Sequence, residues 1–400
     1  MISTHFPPHH LGGDAVFVEY LSKELIKRGH EVHVFYNKAV YELLRGQETP
    51  LSEASDDIKP VRHPHSSWTG RLDPLLALSL GLWGRAKNEL ERLVAEVEPD
   101  VVHWHNPRGF IGRPFPFPNA VSLYTLHDYT PVCPRSNLLK PHMVICDNPR
   151  WCTVCCMMWG KPPQLWRAGA RRLLRFPNDL KLLSPSEFVA KRMRQEGIEV
   201  HKVLRGFVPD LGRNFTRIHP LDDSIVYLGL MEPHKGVRTL FDAFVSSTNS
   251  HGFKLHMIGE GSLRRELADE VKRLGLEERI SLPGFMPREE VETVRKNAVA
   301  QVVPSIWYEN APSVALEAYS LGIPVLASNL GGLPEVVGPD SGSMTFRPGD
   351  SAELGRILIS LWENRGKLDE RRKQARRAYE TRFTPEIHVA EYLRIISQLK

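Results

Sequence analysis

Short β-branched runs alternate with amphipathic helical stretches along the chain, and this alternation limits the fold more than any other feature. In the first half, residues 31–35, 100–104 and 120–126 have strand character, whereas 16–28 and 85–97 repeat apolar side chains at helical spacing. In the second half, the predicted strands are 224–228, 254–258, 300–303 and 324–327. Such an order predicts parallel sheets covered by helices on both faces.

The chain is too long for one core, and its pattern breaks once. Its 400 residues exceed the roughly 250–300 at which a single hydrophobic core stops growing. Glycines and prolines punctuate residues 205–222, which we interpret as a linker. We therefore expect an α/β protein of two doubly wound parallel-sheet domains. The expected bounds are 1–207 for the N-terminal domain, 208–380 for the C-terminal domain, and 381–400 for a last helix that packs back on the first domain.

Composition and charge exclude several classes of protein. Hydrophobic residues make up 42% of the chain and charged residues 25%, which excludes a disordered or collagen-like chain. The longest apolar stretch, near 75–83, is far shorter than the ~18 residues that span a bilayer. A net charge of +5 does not indicate nucleic-acid binding. Residues 1–5 lack the basic and apolar regions of a signal peptide, so we expect a cytoplasmic protein.

Two carboxylates seven residues apart, Glu309 and Glu317, are the strongest local signal for chemistry. Pro312 suits the first turn of a helix, so Glu309 is expected just before that helix and Glu317 one to two turns inside it. The unpaired N–H groups of a helix start favour phosphate or sugar oxygens. The residues expected at this helix start are Asn310, Ala311, Ser313 and Val314. The alternative is that both glutamates lie on the surface without a ligand.

Three further glycine-containing turns join a predicted strand to a predicted helix. The turn from Gly229 to Gly236 contains Lys235, a cation able to neutralise a diphosphate. Gly331-Gly-Leu-Pro-Glu335 and the pair Gly12-Gly13 have the same placement and allow a close approach of backbone to an anion. Ligands of open α/β sheets bind at the carboxyl ends of the strands. Together these turns indicate a shared cleft.

In the order and spacing of its motifs, the chain resembles the retaining glycosyltransferases of the GT-B type, family 4. The motifs that carry the resemblance are Gly12-Gly13, Gly29-His-Glu-Val32, Thr125-Leu-His-Asp128, Ser184-Pro-Ser-Glu-Phe188, Lys235-Gly236, Gly259-Glu-Gly261, Pro304-Ser305, the E-x7-E pair, Gly322-Ile-Pro-Val325 and Gly331-Gly-Leu-Pro-Glu335. They run over nearly the whole length. The resemblance implies a GT-B fold, with two Rossmann-like domains facing across a cleft.

The resemblance also implies roles for individual residues. The C-terminal domain would hold a nucleotide-sugar donor, with Glu309 on the transferred sugar, Glu317 on the ribose and Lys235 on the diphosphate. Phe285 lies in the loop implied to be near the base. His127 matches the family's active-site histidine on the donor sugar; the alternative is a packed loop histidine. We interpret five others as packed histidines, namely His5, His9, His10, His103 and His105. No Asp-x-Asp metal motif is needed, so the implied catalysis is metal-independent, with no cofactor and no assigned nucleophile.

The sequence therefore predicts transfer of a hexose-type unit from a UDP- or GDP-sugar to a glycan or lipid-linked acceptor, as in polysaccharide biosynthesis. A nucleotide-sugar epimerase is one alternative, although the E-x7-E pair argues against it. A non-catalytic nucleotide-sugar-binding protein of the same fold is another. Leu230 favours that alternative, because the family often has a phosphate-binding arginine there.

All five cysteines lie between Cys133 and Cys156. Four of them, Cys133, Cys146, Cys152 and Cys155, could form a tetrahedral thiolate zinc site, for which the final C-x2-C is a suitable knuckle. A disulfide and unlinked buried thiols are the alternatives. A similar cysteine-bearing insertion occurs in part of the family, which implies that the loop orders the acceptor side.

A basic amphipathic stretch follows the cysteine loop. Its arginines, Arg167, Arg171, Arg172 and Arg175, could lie on an anionic membrane and bring the enzyme to a lipid-linked acceptor. A solvated helix face is the alternative. Membrane contact at the inner face is therefore an expectation from this stretch alone.

Overall fold

The computed structural model divides the protein into two compact units. It describes residues 1–9, 12–37, 41, 58–62, 79–80, 84–107, 113–147, 152–161, 164–165, 176–213 and 223–400. The first unit comprises Met1–Gly206 with Pro385–Lys400, and the second comprises Phe207–Thr384. Within the described residues, no helix is both long and apolar enough to cross a membrane.

The first unit contains a seven-stranded parallel sheet with the strand order β3-β2-β1-β4-β5-β6-β7. Its strands are β1 (Ile2–Ser3), β2 (His33–Tyr36), β3 (Lys59–Arg62), β4 (Val101–Asn106), β5 (Val121–Thr125), β6 (Leu180–Ser184) and β7 (Lys202–Val203). Its described helices are α1 (Gly13–Ile26), α2 (Gly84–Val97), α3 (Cys152–Met158), α4 (Glu187–Gln195) and α12 (Pro385–Leu399).

The second unit contains a six-stranded parallel sheet with the strand order β10-β9-β8-β11-β12-β13. Its strands are β8 (Ser224–Leu228), β9 (Lys254–Ile258), β10 (Ile280–Gly284), β11 (Ala300–Val303), β12 (Val325–Ser328) and β13 (Met344–Phe346). Its helices are α5 (Val237–Ser247), α6 (Arg264–Leu274), α7 (Arg288–Lys296), α8 (Ser313–Ser320), α9 (Leu333–Val337), α10 (Ser351–Glu363) and α11 (Leu368–Arg382).

The predicted class, an α/β fold with two parallel sheets and flanking helices, is confirmed. The central strands are buried on both faces, as in β11 and β12, where every residue is buried. Such strands consist of continuous apolar runs, and this explains why their positions are visible in the sequence. Ser186 caps the start of α4 by accepting a hydrogen bond from the backbone N–H of Val189 at 3.3 Å.

The sheet of the second unit determines which loops meet. Strands β8 and β11 are neighbours in the middle of the sheet, although 71 residues lie between Leu228, where β8 ends, and Ala300, where β11 begins. This intervening segment contains β9, β10 and the helices α5, α6 and α7. Because the strands are parallel, the loops that follow them emerge at the same edge. The loop after β8 leads to Lys235, and the loop after β11 leads to Glu309. These two segments build the site.

Candidate active site

A buried carboxylate, that of Glu309, lies at the centre of the candidate site. The residue is 7% exposed. Its Oε1 accepts three hydrogen bonds, from Lys235 Nζ at 2.8 Å, from Trp307 Nε1 at 2.7 Å and from Ser305 Oγ at 2.7 Å. Within the described residues, no hydrogen-bond donor reaches Oε2. The three donors therefore fix a negatively charged carboxylate through one of its two oxygens.

The protonation state of Glu309 follows from the balance of these contacts. Burial alone would raise the pKa of its carboxyl group. The positive charge of Lys235 opposes this effect, as do the hydrogen bonds from Lys235, Ser305 and Trp307, so the pKa is held below its ordinary value. Glu309 is therefore an anion at neutral pH, and it forms an ion pair with the Lys235 ammonium.

Lys235 is oriented by its turn and by an aromatic ring. It ends the short helical turn Pro233–Lys235, and the next residue, Gly236, has φ 69° and begins α5. A Cβ at Gly236 would lie 1.8 Å from the carbonyl oxygen of Pro304, so only glycine fits this position. The Lys235 ammonium lies 4.7 Å from the ring centroid of Trp307, within the range of a cation–π contact.

The glycine pair after β12 holds the backbone of Glu309. The N–H of Gly332 donates to the carbonyl oxygen of Glu309 at 2.7 Å. Gly331 has φ 65°, and a Cβ there would lie 2.6 Å from the same carbonyl oxygen. The Gly331-Gly332 turn therefore holds the backbone of Glu309, while Lys235, Ser305 and Trp307 hold its side chain.

Glu317 lies on α8, just over one turn from its start, and Pro312 is the cap residue before that helix. Its carboxylate Oε2 accepts a hydrogen bond from Arg295 Nη1 at 2.8 Å. Asn310 and Ala311 lie in the loop before α8, and Ser313 and Val314 form its first turn. The structure therefore brings the predicted helix start directly after Glu309.

Two other predicted positions of the second unit lie at the surface. Phe285, directly after β10, is 67% exposed, and its backbone N–H donates to Glu260 Oε1 at 3.2 Å. Leu230, where the family often has arginine, is 52% exposed. Both are large apolar side chains open to solvent at the edge where the strands end.

The predicted residues of the first unit occur together at the ends of β4 and β5. Gly12 and Gly13 begin α1, and His127 follows β5. The ring of His127 lies 5.3 Å from that of Phe17, a residue of α1. Burial lowers the pKa of His127, although Asp14 and Asp128 oppose this effect. His127 is therefore neutral at pH 7.

His105 has a closer connection to this site than the sequence suggested. Its Nδ1 forms a hydrogen bond with His127 Nε2 at 2.9 Å. On the other side, its ring lies 3.9 Å from that of His103, which bonds to Thr125 Oγ1 at 2.8 Å and to Tyr392 OH at 3.0 Å. The expectation that His103 and His105 are packed histidines is therefore incomplete, because His105 orients His127. The alternation of side chains in β4, which places both on one face, is the signal that could have revealed this.

The five cysteines are unlinked thiols, with Cys133 and Cys156 buried. Burial raises the pKa of Cys152 to about 12, and negative charge on the other cysteines in their thiolate form would raise it further. Four cysteine thiolates are a ligand set that structural zinc ions commonly have. In geometry, the described residues contain no group of three or more histidine, cysteine or acidic side chains placed to hold a metal ion. The zinc site stays a prediction.

Comparison with known families covers both units. A family model described as Glycosyltransferase Family 4 matches residues 11–206, and one described as Glycosyl transferases group 1 matches residues 213–381. The chain belongs to the family 4 glycosyltransferases. The resemblance drawn from its motifs is thereby confirmed.

The relatives of this glycosyltransferase differ in their named activities. An MMP alpha-(1->4)-mannosyltransferase of Mycolicibacterium hassiacum is 25% identical, over 98% of this chain and 96% of its own length. A glycogen synthase of Mycobacterium tuberculosis is 24% identical, over 96% of this chain and 90% of its own. The named sugars differ between these relatives.

Solved structures with the same fold cover the whole chain. Sucrose-phosphate synthase from Thermosynechococcus elongatus has a TM-score of 0.70 at 20% identity, covering 100% of this chain and 98% of its own. HepE from Anabaena in complex with UDP-glucose has a TM-score of 0.66 at 18% identity, covering 99% and 98%. At these identities the likeness shows that this glycosyltransferase has the GT-B fold.

Proposed function

We propose that this glycosyltransferase moves a hexose-type sugar from a UDP- or GDP-sugar to a glycan or lipid-linked acceptor, with retention of configuration at the anomeric carbon. The observation that carries the proposal is the Lys235–Glu309 pair, which combines a cation, a buried carboxylate and the start of α8 at one sheet edge. The complexes of HepE with UDP and UDP-glucose add support for a nucleotide-sugar donor.

The chemistry requires the residue types found there. Breaking the bond between the anomeric carbon and the diphosphate oxygen builds negative charge on the diphosphate and positive charge on the sugar. Lys235 would stabilise the departing diphosphate, and Glu309 Oε2 would accept a hydrogen bond from the sugar. These contacts strengthen in the transition state, so they accelerate the reaction. The acceptor hydroxyl would form the new bond on the same face, and its proton would pass to the departing phosphate oxygen.

His127 and the Gly12-Gly13 turn complete the proposal on the first unit. His127 is neutral, so it can donate a hydrogen bond to the donor sugar without adding charge. Gly12 and Gly13 would let the backbone approach the donor at the start of α1. In this assignment, catalysis requires no metal and no cofactor.

The proposal is tested by donor binding and turnover. Thermal shift with UDP-, GDP- and ADP-sugars should identify a stabilising donor, and transfer or donor hydrolysis should then be measured with it. NMR of the product anomer tests retention. Lys235→Ala should abolish turnover, whereas Lys272→Ala, a change of a lysine at the end of α6, should not. A wild type that binds a donor but turns over none would favour the non-catalytic alternative, and interconversion of the donor's sugar without transfer would favour the epimerase.

We also propose that Cys133, Cys146, Cys152 and Cys155 hold a structural zinc ion that orders the acceptor-side loop. The placement of all five cysteines of the chain between Cys133 and Cys156, with a final C-x2-C, supports this assignment. Zinc would have to displace the thiol protons, so its binding should weaken as pH falls. Elemental analysis of protein purified without chelator should find about one equivalent. Less than about half an equivalent, or an equal zinc content in the Cys152→Ser and Cys155→Ser double variant, would contradict the site.

Contact with an anionic membrane, at the cytoplasmic face, is the last part of the proposal. Arg167, Arg171, Arg172 and Arg175 lie outside the described residues. Apolar side chains just before them are exposed, including Val144, Met157, Met158 and Leu165, which supports an interfacial role for this part of the chain. Flotation with vesicles containing phosphatidylglycerol should recover the protein. Replacing the four arginines by serine should abolish recovery, and equal recovery on neutral vesicles would contradict the proposal.

A further inference from the structure

A buried guanidinium, that of Arg295, lies beside α8 in the second unit. Its side chain is 2% exposed. Arginine keeps its charge in proteins, and a buried charge is tolerated only when it is paired and hydrogen-bonded. The residue is the last but one of α7, a helix whose exposed face is rich in charged side chains. Its burial therefore needs a reason.

Three groups receive the hydrogen bonds of Arg295. Nη1 donates to Glu317 Oε2 at 2.8 Å, Nη2 to the carbonyl oxygen of Val314 at 3.1 Å, and Nε to Gln301 Oε1 at 3.0 Å. Gln301, on β11 and 1% exposed, also donates to the Val314 carbonyl oxygen at 2.8 Å. Two side chains therefore hold the first turn of α8, and one of them also holds Glu317.

This network divides the two oxygens of the Glu317 carboxylate between different tasks. Oε2 is bound by Arg295, and within the described residues no donor reaches Oε1. The Glu317 side chain keeps 18% of its surface exposed, so it opens toward solvent while Arg295 lies behind it. A free glutamate side chain would lose rotamer freedom on binding a ligand, which weakens the interaction. Arg295 has already removed that freedom.

We propose that Arg295 is a positioning residue for recognition of the nucleotide ribose. Through Nη1 it aims the Glu317 carboxylate at the ribose hydroxyls, and through Nη2 and Gln301 it fixes the turn of α8 next to them. This inference rests on the proposed function, which assigns the ribose to Glu317. Arg295 itself does not touch the donor.

The ribose preference can be measured directly. The probes are UDP and its dideoxy analogue, which lacks both ribose hydroxyls; the GDP pair replaces them if the wild type binds GDP. The readout is the Kd of the analogue divided by the Kd of the ribonucleotide, both measured by titration calorimetry. A charge-assisted hydrogen bond to each hydroxyl should give a wild-type ratio on the order of tenfold to a hundredfold. In Arg295→Met the ratio should fall to about threefold or less, because the Kd for UDP rises while that for the analogue changes little.

Two further variants separate positioning from stability. Arg295→Lys keeps the charge and one donor, so it should restore part of the ratio. Arg279→Met is the matched control: Arg279 is a partly buried arginine of the same unit that donates to the backbone carbonyls of Phe253 and His251. It should lower the melting temperature and leave the ratio unchanged. In a Glu317→Ala background, Arg295→Met should have no further effect on the ratio.

The outcomes distinguish the inference from the proposed function. If the wild type binds neither nucleotide, the proposed function fails and the inference fails with it. If the wild type prefers the ribonucleotide and both Arg295→Met and Arg295→Lys keep its ratio, only the inference fails. A ratio that falls in Arg295→Met and recovers partly in Arg295→Lys supports it.

Discussion

The two units bury polar side chains in opposite ways. The first unit buries neutral groups: His103, His105, His127 and His388 share an interior region with Tyr392, and burial lowers the pKa of each histidine. The second unit buries a charged group in each of two ion pairs, Glu309 in its pair with Lys235 and Arg295 in its pair with Glu317.

This difference matters for both stability and ligand binding. A neutral hydrogen-bonded cluster has little desolvation cost but loses its neutrality in acid. A buried ion pair has a high desolvation cost, but its charges interact strongly with a charged ligand that enters the site. The second unit therefore has the features expected for an anionic ligand, while the first offers hydrogen bonds. The following changes test the contrast.

Removing the charge of Glu309 should have the largest effect. Glu309→Gln preserves the size of the side chain but leaves Lys235 without its carboxylate partner and weakens the acceptor for the sugar. Removal of one preorganised electrostatic group typically lowers kcat by about 10²–10³. Steady-state kinetics with the donor found by thermal shift measures this loss. Glu292→Gln, which removes a carboxylate from a surface pair with Arg288, is the control and should change kcat less than about twofold. A Glu309→Gln enzyme with normal kcat would contradict the role of the charge.

Mild acid should destabilise the first unit before the second. Burial lowers the pKa of His388 from 6.5 to about 4, despite its bond to the carbonyl oxygen of Arg205. Between those values the unfolded chain binds the extra proton, so stability is full above pH 6.5 and falls toward pH 4. For His388 alone the loss reaches about 3 kcal/mol. In the second unit, burial lowers the pKa of His251 to about 4 as well. Among the described residues of that unit, however, His251 is not part of a histidine cluster like that of the first.

Hydrogen exchange resolved by peptide, at pH 7 and pH 5 and corrected for intrinsic rates, measures this difference. Peptides of β4 and β5 should lose protection before peptides of β8 and β11. His388→Asn keeps a donor for the Arg205 carbonyl and removes the titrating ring, so it should reduce the acid sensitivity of the first unit. Equal loss of protection in both units would show that the histidine cluster does not distinguish them.

Glycine at the Glu309 turn should matter more than glycine at a similar but open turn. Gly331 and Gly275 both have φ of 65°, so an alanine at either position is strained by roughly 1–2 kcal/mol. At Gly331 the new Cβ would also meet the Glu309 carbonyl at 2.6 Å, whereas nothing lies within 4 Å at Gly275. Gly331→Ala should therefore cost roughly 1–3 kcal/mol more. Thermal denaturation measures the difference. Equal melting temperatures would mean that the loop moves away, and donor affinity would then report whether Glu309 moves with it.

The strands of the second unit were predictable because buried parallel strands are continuous apolar runs. The prediction at 300–303 coincides with β11, and 324–327 differs from β12 by one residue at each end. Strands β3, β7 and β13 were not predicted, because Lys59–Arg62 contains a proline, while Lys202–Val203 and Met344–Phe346 have only two and three residues. The seventh strand therefore depends on pairing with its neighbours more than on its own sequence.

The members of the site were easier to predict than their contacts. Lys235 and Glu309 were both identified from their motifs, but 74 positions separate them, and only the adjacency of β8 and β11 brings them within 2.8 Å. Local patterns do not encode strand order. Arg295 was missed although its spacing from Val291, one helical turn earlier, places it on the buried face of α7. A charged residue at an apolar position was the available signal.

The contrast between neutral and charged groups extends to helix caps, where the smallest effect is expected. Ser186 caps α4 in the first unit by accepting from Val189 N–H at 3.3 Å, and Asp350 caps α10 in the second by accepting from Glu353 N–H at 2.8 Å. The charged and shorter bond also interacts with the positive end of the helix. Asp350→Ala should therefore cost about 1–2 kcal/mol and Ser186→Ala about 0.5–1 kcal/mol. Urea denaturation, monitored in each unit by amide hydrogen exchange, compares the two losses of stability. A larger loss of unfolding free energy for Ser186→Ala would mean that burial of the cap, and not its charge, decides the size of the effect. The N–H group that a buried hydroxyl caps has no water to replace that hydroxyl, so it would be left without a hydrogen bond.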